Sequence, residues 1–157
     1  RATRWDPYSA GIRHEFAIVL SRLGRSREAV EQLEAAVQLQ PNDAEFRYKL
    51  ALALNEVGAA DRVLTELEAA VRCDPRHARA LYNLGLARSA RSDETGALDA
   101  LTRAESAEPA DPRIPFARAT VLARLGRTTE ARVAAERALE IEPRFQAAAD
   151  LLRALSR

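Results

Sequence analysis

The chain contains one lysine, one cysteine and no methionine, and neither sign of charge is in excess. Its 24 basic and 23 acidic residues leave a formal net charge of +1. Binding to nucleic acid draws on a basic excess that displaces counterions from phosphates. That excess is missing, so nucleic acid is not an expected partner. Nearly all the positive charge is arginine, a habit of GC-rich genomes that points to a bacterial origin rather than to a function. With Cys73 alone there can be no disulfide within the chain, and the compartment stays open, the cytoplasm slightly favoured. No apolar run approaches the roughly 20 residues a membrane-spanning helix needs, so no membrane insertion is expected. No signal-peptide pattern opens the sequence. A chain with no methionine that starts at Arg1 reads as a piece of a longer protein.

What the sequence does have is a period. Pro7, Pro41, Pro75, Pro109 and Pro143 are spaced 34 residues apart throughout. Five of the seven prolines therefore fall in one register, each preceded by an acid or amide: Asp6, Gln40, Asp74, Glu108, Glu142. A small residue stands five positions earlier (Ala2, Ala36, Ala70, Ala104, Ala138), and a second small column runs Ala17, Ala51, Gly85, Ala119. Gly24, Gly58 and Gly126 share a further column, with Ser92 as the exception. Glycine and proline thus alternate as punctuation between stretches of helix-favouring residues. Each unit reads as helix, tight turn, helix, turn.

Spacing and composition both support helices. Leu50, Ala51, Leu54 and Val57 fall on one helical stripe, and Leu64, Leu67 and Val71 repeat it on the second helix. Ala, Leu, Arg and Glu dominate, and all favour the helix. Ser9, Asp43 and Asp111 stand where first helices should begin, and Ser26 and Thr128 where second helices should begin, as acceptors for unpaired N–H groups. The small columns allow close backbone approach. One hairpin cannot bury its apolar face alone, so stability has to come from stacking. The expectation is nine or ten helices and no strand.

The third unit, with Leu81, Tyr82, Asn83, Leu84 and Gly85, then Ala97, Leu101, Ala104 and Pro109, resembles the tetratricopeptide repeat, whose 34-residue signature it follows. The resemblance covers essentially the whole chain. It implies an all-α fold, a right-handed superhelical α-solenoid of antiparallel helix hairpins. The array would comprise the end of a preceding repeat at 1–9, repeats at 10–43, 44–77, 78–111 and 112–145, and a capping helix at 146–157. Some columns depart from the pattern. Leu33, Leu67, Leu101 and Ala135 replace a signature aromatic, and Gly96 falls early in a second helix. With Ser92 in the glycine column, that turn should be the least regular. Pro115 should delay the fourth unit's first helix. Ala2 and Pro7 are in phase for the end of a second helix, so the array is expected to continue upstream. Arg153 falls in the small-residue column, where a guanidinium cannot enter a close contact, and should end the array.

No catalytic constellation is present. His14 and His77 are far apart in sequence, and Pro75 interrupts any helix between Cys73 and His77. Cys73 shares its column with Leu39, Ala107 and Ile141 and reads as a small hydrophobe. Metal ligands at suitable spacing, a glycine-rich phosphate loop and an exposed-serine elbow are all missing. No cofactor, metal or enzymatic activity is expected.

The informative surface is the face of each first helix turned away from its own partner. The resemblance implies that these faces line a concave groove. One column there is His14, Tyr48, Tyr82, Phe116, and its neighbour is Ile18, Leu52, Leu86, Thr120. Together they form a partly apolar, aromatic ridge. The ridge either pads adjacent helices or receives a peptide, since concave apolar patches with polar rims bind partners. Around it lie Lys49, Arg79 and Arg113. Their charge either serves solubility or favours a mildly acidic or carboxylate-bearing ligand. Members of the resembling family that clamp a chaperone's C-terminal carboxylate use Lys and Asn on successive first helices. Asn83 and Arg113 fit two such positions, but Tyr48, Leu52 and Ala117 occupy others, so that ligand is not expected. The expected function is a protein–protein interaction scaffold binding a peptide or extended segment. The alternatives are a structural spacer, a self-association segment, or the regulatory arm of an upstream enzyme.

Overall fold

The computed structural model describes residues 7–157, with side-chain surroundings from Ser9 onward. Among the described residues there are nine helices and no strand. In order they are α1 (Pro7–Arg22), α2 (Ser26–Leu39), α3 (Ala44–Glu56), α4 (Ala60–Cys73), α5 (Ala78–Ala90), α6 (Glu94–Ala107), α7 (Arg113–Arg124), α8 (Thr128–Ile141) and α9 (Gln146–Leu155). The chain divides at Pro75 into two compact units, α1–α4 and α5–α9.

In the first unit α1 pairs with α2 and α3 with α4, and α3 also packs on α2. In the second, α5 pairs with α6 and α7 with α8; α7 packs on α6, α9 packs on α8, and α5 and α9 both touch α7. The small columns make these crossings close. Ala36, Ala70, Ala104 and Ala138 are fully buried, as are Ala17, Ala51 and Ala119 to within a trace. At Gly85 a methyl group would sit 2.5 Å from the Leu101 Cγ, so this crossing admits only glycine. Leucines fill the gaps between the small residues, Leu20, Leu50 and Leu54 in the first unit and Leu81, Leu84, Leu101 and Leu122 in the second. Each contributes about 1.5–3 kcal/mol by leaving water.

The turns inside the hairpins share one geometry. Gly24, Gly58 and Gly126 take φ of 74°, 79° and 73°, and Ser92 takes 62°. Behind each, the next N–H closes onto a carbonyl five residues back: Arg25 to Leu20, Ala59 to Leu54, Asp93 to Arg88 and Arg127 to Leu122, all at 2.9 Å. This is the helix-ending bond that a left-handed residue permits. The turn at Ser92 is therefore as regular as the others, contrary to the expectation. Serine is held in a conformation that suits glycine, because the flanking helices fix the turn.

Helix starts differ from the sequence reading in several places. Asp43 does cap α3, its carboxylate accepting from the Phe46 N–H at 2.9 Å. Ser9 lies inside α1, which begins at Pro7. Ser26 and Thr128 are the first helical residues of α2 and α8, not the caps. The cap positions there are Arg25 and Arg127, which make no cap bond and instead pair with Glu28 and Glu130 one turn on. Asp93 caps α6 by accepting from the Gly96 N–H at 2.9 Å. A Cβ at position 96 would meet the Asp93 carboxylate at 2.1 Å, which explains a glycine inside a helix. His77 caps α5 through Nδ1, which accepts from the Ala80 N–H at 3.1 Å. α7 begins at Arg113, ahead of Pro115. Proline is tolerated in a first turn, where its missing N–H would have had no partner in the helix.

At the ends, residues 1–6 lie outside the described residues, and Pro7 to Ser9 belong to α1 rather than to a separate preceding segment. α9 runs from Gln146 to Leu155. Asp150 and Arg153 face solvent and pair with each other. Leu151, Leu152 and Leu155 lie against Ala119, Leu122, Ala131, Ala134 and Ala135.

Candidate functional site

In the first unit the ridge residues sit on α1 and α3, and the structure treats them unequally. His14 is largely covered, its ring 5.1 Å from that of Phe46 and its Nδ1 3.5 Å from the Glu15 carboxylate. Its Nε2 is buried with no hydrogen-bond partner in the protein. Tyr48, expected to be an exposed aromatic, is only 6 % exposed. It is packed into the unit, and padding is the better description of its role. Lys49 lies with its ammonium 5.7 Å from the Tyr48 ring centre and 3.8 Å from the Glu45 carboxylate. Leu52 is half-buried.

In the second unit α5 and α7 bring two of the predicted residues, Tyr82 and Arg113, into direct contact. The Arg113 guanidinium stacks 5.4 Å above the Tyr82 ring. Two bonds from Arg113 to the Asp111 carboxylate hold it there, Nε to Oδ1 at 2.9 Å and Nη2 to Oδ2 at 2.6 Å. The Arg113 N–H also donates to Oδ1 at 3.0 Å. The side-chain bonds from Arg113 hold the Asp111 carboxyl below its ordinary pKa. Burial pushes the Tyr82 hydroxyl up; Arg113 opposes that shift and Asp111 adds to it. Below the stack, Tyr82 rests on Ala97, Leu101, Ala117 and Val121. Phe116 meets Phe145, ring centres 5.0 Å apart and planes tilted by 59°. Leu86 is 41 % exposed. Asn83 donates one side-chain N–H to the Arg79 carbonyl at 2.8 Å, a bond within its own helix, and Arg79 is exposed.

Sequence reasoning missed Asp111 as the clamp on Arg113, and Phe145 and Phe46 as ring partners. Phe145 carried a signal. It stands 34 residues after Asp111, in the cap column of Asp43 and His77, where a phenyl ring has no acceptor to offer a backbone N–H. α9 indeed starts without a side-chain cap. The phenyl ring serves α7 instead.

Among the described residues no group of three or more His, Cys, Asp or Glu could hold a metal, and no helix is long and apolar enough to cross a membrane. Cys73 is half-buried, its Sγ 3.9 Å from the Pro41 carbonyl.

Two tetratricopeptide-repeat profiles match the chain. One, described as TPR repeat, covers residues 2–58, and the other, described as Tetratricopeptide repeat, covers 58–112 and 95–144. No curated protein matches the sequence. Solved structures do resemble it. A crystal structure of MamA protein is 22 % identical, with TM-score 0.87 over 94 % of this chain and 80 % of that one. A MamA chain from Desulfovibrio magneticus RS-1, also 22 % identical, gives 0.86 over 94 % and 84 %. YrrB, described as a TPR protein with an unusual peptide-binding site, is 21 % identical, with TM-score 0.84 over 98 % and 77 %. At these identities the likeness establishes the fold.

Proposed function

The chain belongs to the tetratricopeptide repeat family and is a protein-interaction scaffold, and we propose that it receives a peptide or extended segment along its first helices. The observation that carries this reading is the preassembled ridge of the second unit. Arg113 is already stacked on Tyr82 and fixed by Asp111, and Phe116 is already set against Phe145. A ligand that settles on such a surface loses its own freedom but does not have to order the site, and preorganisation of this kind raises affinity. Aromatic and arginine side chains dominate binding hot spots for the same reason. The peptide-binding description attached to YrrB, a chain of similar fold, supports the same use of this one.

The ligand's chemistry follows from the rim. An apolar side chain fits against Leu86 and Phe116, and Asn83 offers its amide to a backbone. Arg79 and Arg113 favour a mildly acidic or carboxylate-bearing segment, although at Arg113 such a group competes with Asp111. In the first unit the burial of Tyr48 narrows the accessible site to His14, Lys49 and Leu52, and there a spacer role is the better second reading.

The test is to select binders from a random peptide library on the immobilised chain and to map one by amide chemical shifts. The expected perturbations concentrate on α5 and α7. Perturbations confined to α6 and α8 would place the ligand elsewhere and overturn the reading.

A further inference from the structure

The apolar surface that α1 leaves open has an internal symmetry. Ile12, Phe16, Val19 and Leu23 are 69 %, 50 %, 49 % and 65 % exposed. Their spacing of four, three and four residues keeps them on one helical face. Leu23 continues the stripe just past the helix, its N–H still bonded to the Val19 carbonyl at 3.1 Å. The spacing reads the same from either end, so the stripe is symmetric about the Ala17–Ile18 peptide. Glu15 and Arg22, both exposed, stand one heptad apart along one edge of it, the acid in the N-terminal half and the base in the C-terminal half. Glu15 reaches His14 Nδ1 at 3.5 Å, yet its side chain is 77 % exposed. The other edge is tied down within the hairpin: Leu20 is buried, and Arg13 donates to Gln32 of α2 at 3.0 Å. A face that is apolar along its centre and changes charge sign along its open edge is complementary to itself, turned end for end.

We propose that α1 pairs antiparallel with α1 of a second copy of this chain, in an isologous dimer. The stripe then acts as a short coiled-coil seam, with charged neighbours at its edge setting the orientation. Phe16 meets the partner's Val19, and Ile12 meets the partner's Leu23. The two-fold axis brings the open edges of both copies to the same side of the pair, so Glu15 meets the partner's Arg22, twice. A parallel pair would instead set this edge against the partner's Arg13 and Leu20, which already belong to the contact between α1 and α2. Because each copy gives the same face, the contact closes on itself and assembly stops at the dimer. The stripe shares no residue with the groove columns, so the dimer stands independently of the peptide-binding reading.

Sedimentation equilibrium of the full chain, over an about hundredfold range of concentration, should show a monomer–dimer equilibrium and nothing larger. Phe16→Asp should abolish the dimer while leaving the helix content unchanged, because position 16 is open to water in the single copy. Glu15→Arg and Arg22→Glu should each weaken dimerisation about tenfold, and the double swap should restore it. Fluorescently labelled wild type should bind unlabelled Phe16→Asp far more weakly than it binds unlabelled wild type, since both copies must offer the same face. A chain that stays monomeric throughout would overturn the proposal. So would larger assemblies, or undiminished binding to Phe16→Asp, because α1 would then be seated on a different face of the second copy, such as that of α4. A double swap that fails to restore the dimer would overturn the antiparallel register.

Discussion

Ser92 holds a left-handed conformation at a position where three other turns use glycine. An L-residue there costs roughly 1–2 kcal/mol in backbone sterics, partly offset because serine leaves the unfolded chain less freedom than glycine would. Ser92→Gly should therefore stabilise the second unit by about 0.5–1 kcal/mol, read as a rise of a few degrees in thermal unfolding. The stack at Tyr82 offers a second test at this scale. Arg113 favours the ionised phenol and Asp111 opposes it. Arg113→Gln should accordingly move the Tyr82 ionisation to higher pH and Asp111→Asn to lower pH, followed by ultraviolet difference absorbance against Tyr82→Phe. The carboxylate also links the stack to acid. Asp111 has a lowered folded-state pKa, so its contribution is present above the unfolded carboxyl pKa of about 4 and is lost as the pH falls through the folded value.

At the scale of the helix, the first unit carries polar struts that the second unit replaces with apolar pairs. Arg13 donates to Gln32 at 3.0 Å, and one period later Arg47 donates to Glu66 at 3.0 Å. One further period on, the same two columns hold Leu81 and Ala100, both fully buried. A partly desolvated ion pair gains little over a well-packed apolar pair, whereas leaving one partner unpaired is costly. Glu66→Ala alone should destabilise the first unit by about 1–2 kcal/mol. The double change Arg47→Leu with Glu66→Ala should recover most of that loss, as denaturant titration of the three variants would reveal. The helices themselves were legible in the sequence because their signals are local and steric: the proline register, the alanine columns and the left-handed turn. Caps were harder. Ser26 and Thr128 looked like caps, yet the turn geometry hands that position to Arg25 and Arg127, and His77 caps through an imidazole nitrogen that no simple acceptor rule would choose. Pro115 delays α7 by only one residue against the register of Ala44 and Ala78, because a proline three residues into a helix removes only a donor that had no partner.

Across the described residues, the all-helical stacking of hairpins expected from the period is observed within each unit, and the family rests on the two matching repeat profiles. The candidate ridge was only partly legible. A column assigns residues to a helix face but does not say which neighbours close over them. That is why Tyr48 is buried while its counterpart Tyr82 stands half-open under Arg113. The contacts that organise the second unit's ridge, Asp111 to Arg113 and Phe145 to Phe116, join different elements or a helix to the loop before it, and no helical spacing announces them. The same logic says where binding energy would concentrate in the proposed site. Tyr82 buries a large ring and directs an arginine, whereas a residue such as Glu136 on the outer side of α8 is simply exposed. The deciding measurement is therefore calorimetry of a selected peptide against Tyr82→Ala and Glu136→Ala, with circular dichroism to verify that both variants stay folded. Tyr82→Ala should weaken binding by about 1–2 kcal/mol, roughly five- to thirtyfold, while Glu136→Ala should leave it unchanged. Equal losses in the two variants, or none in Tyr82→Ala, would contradict the proposed site.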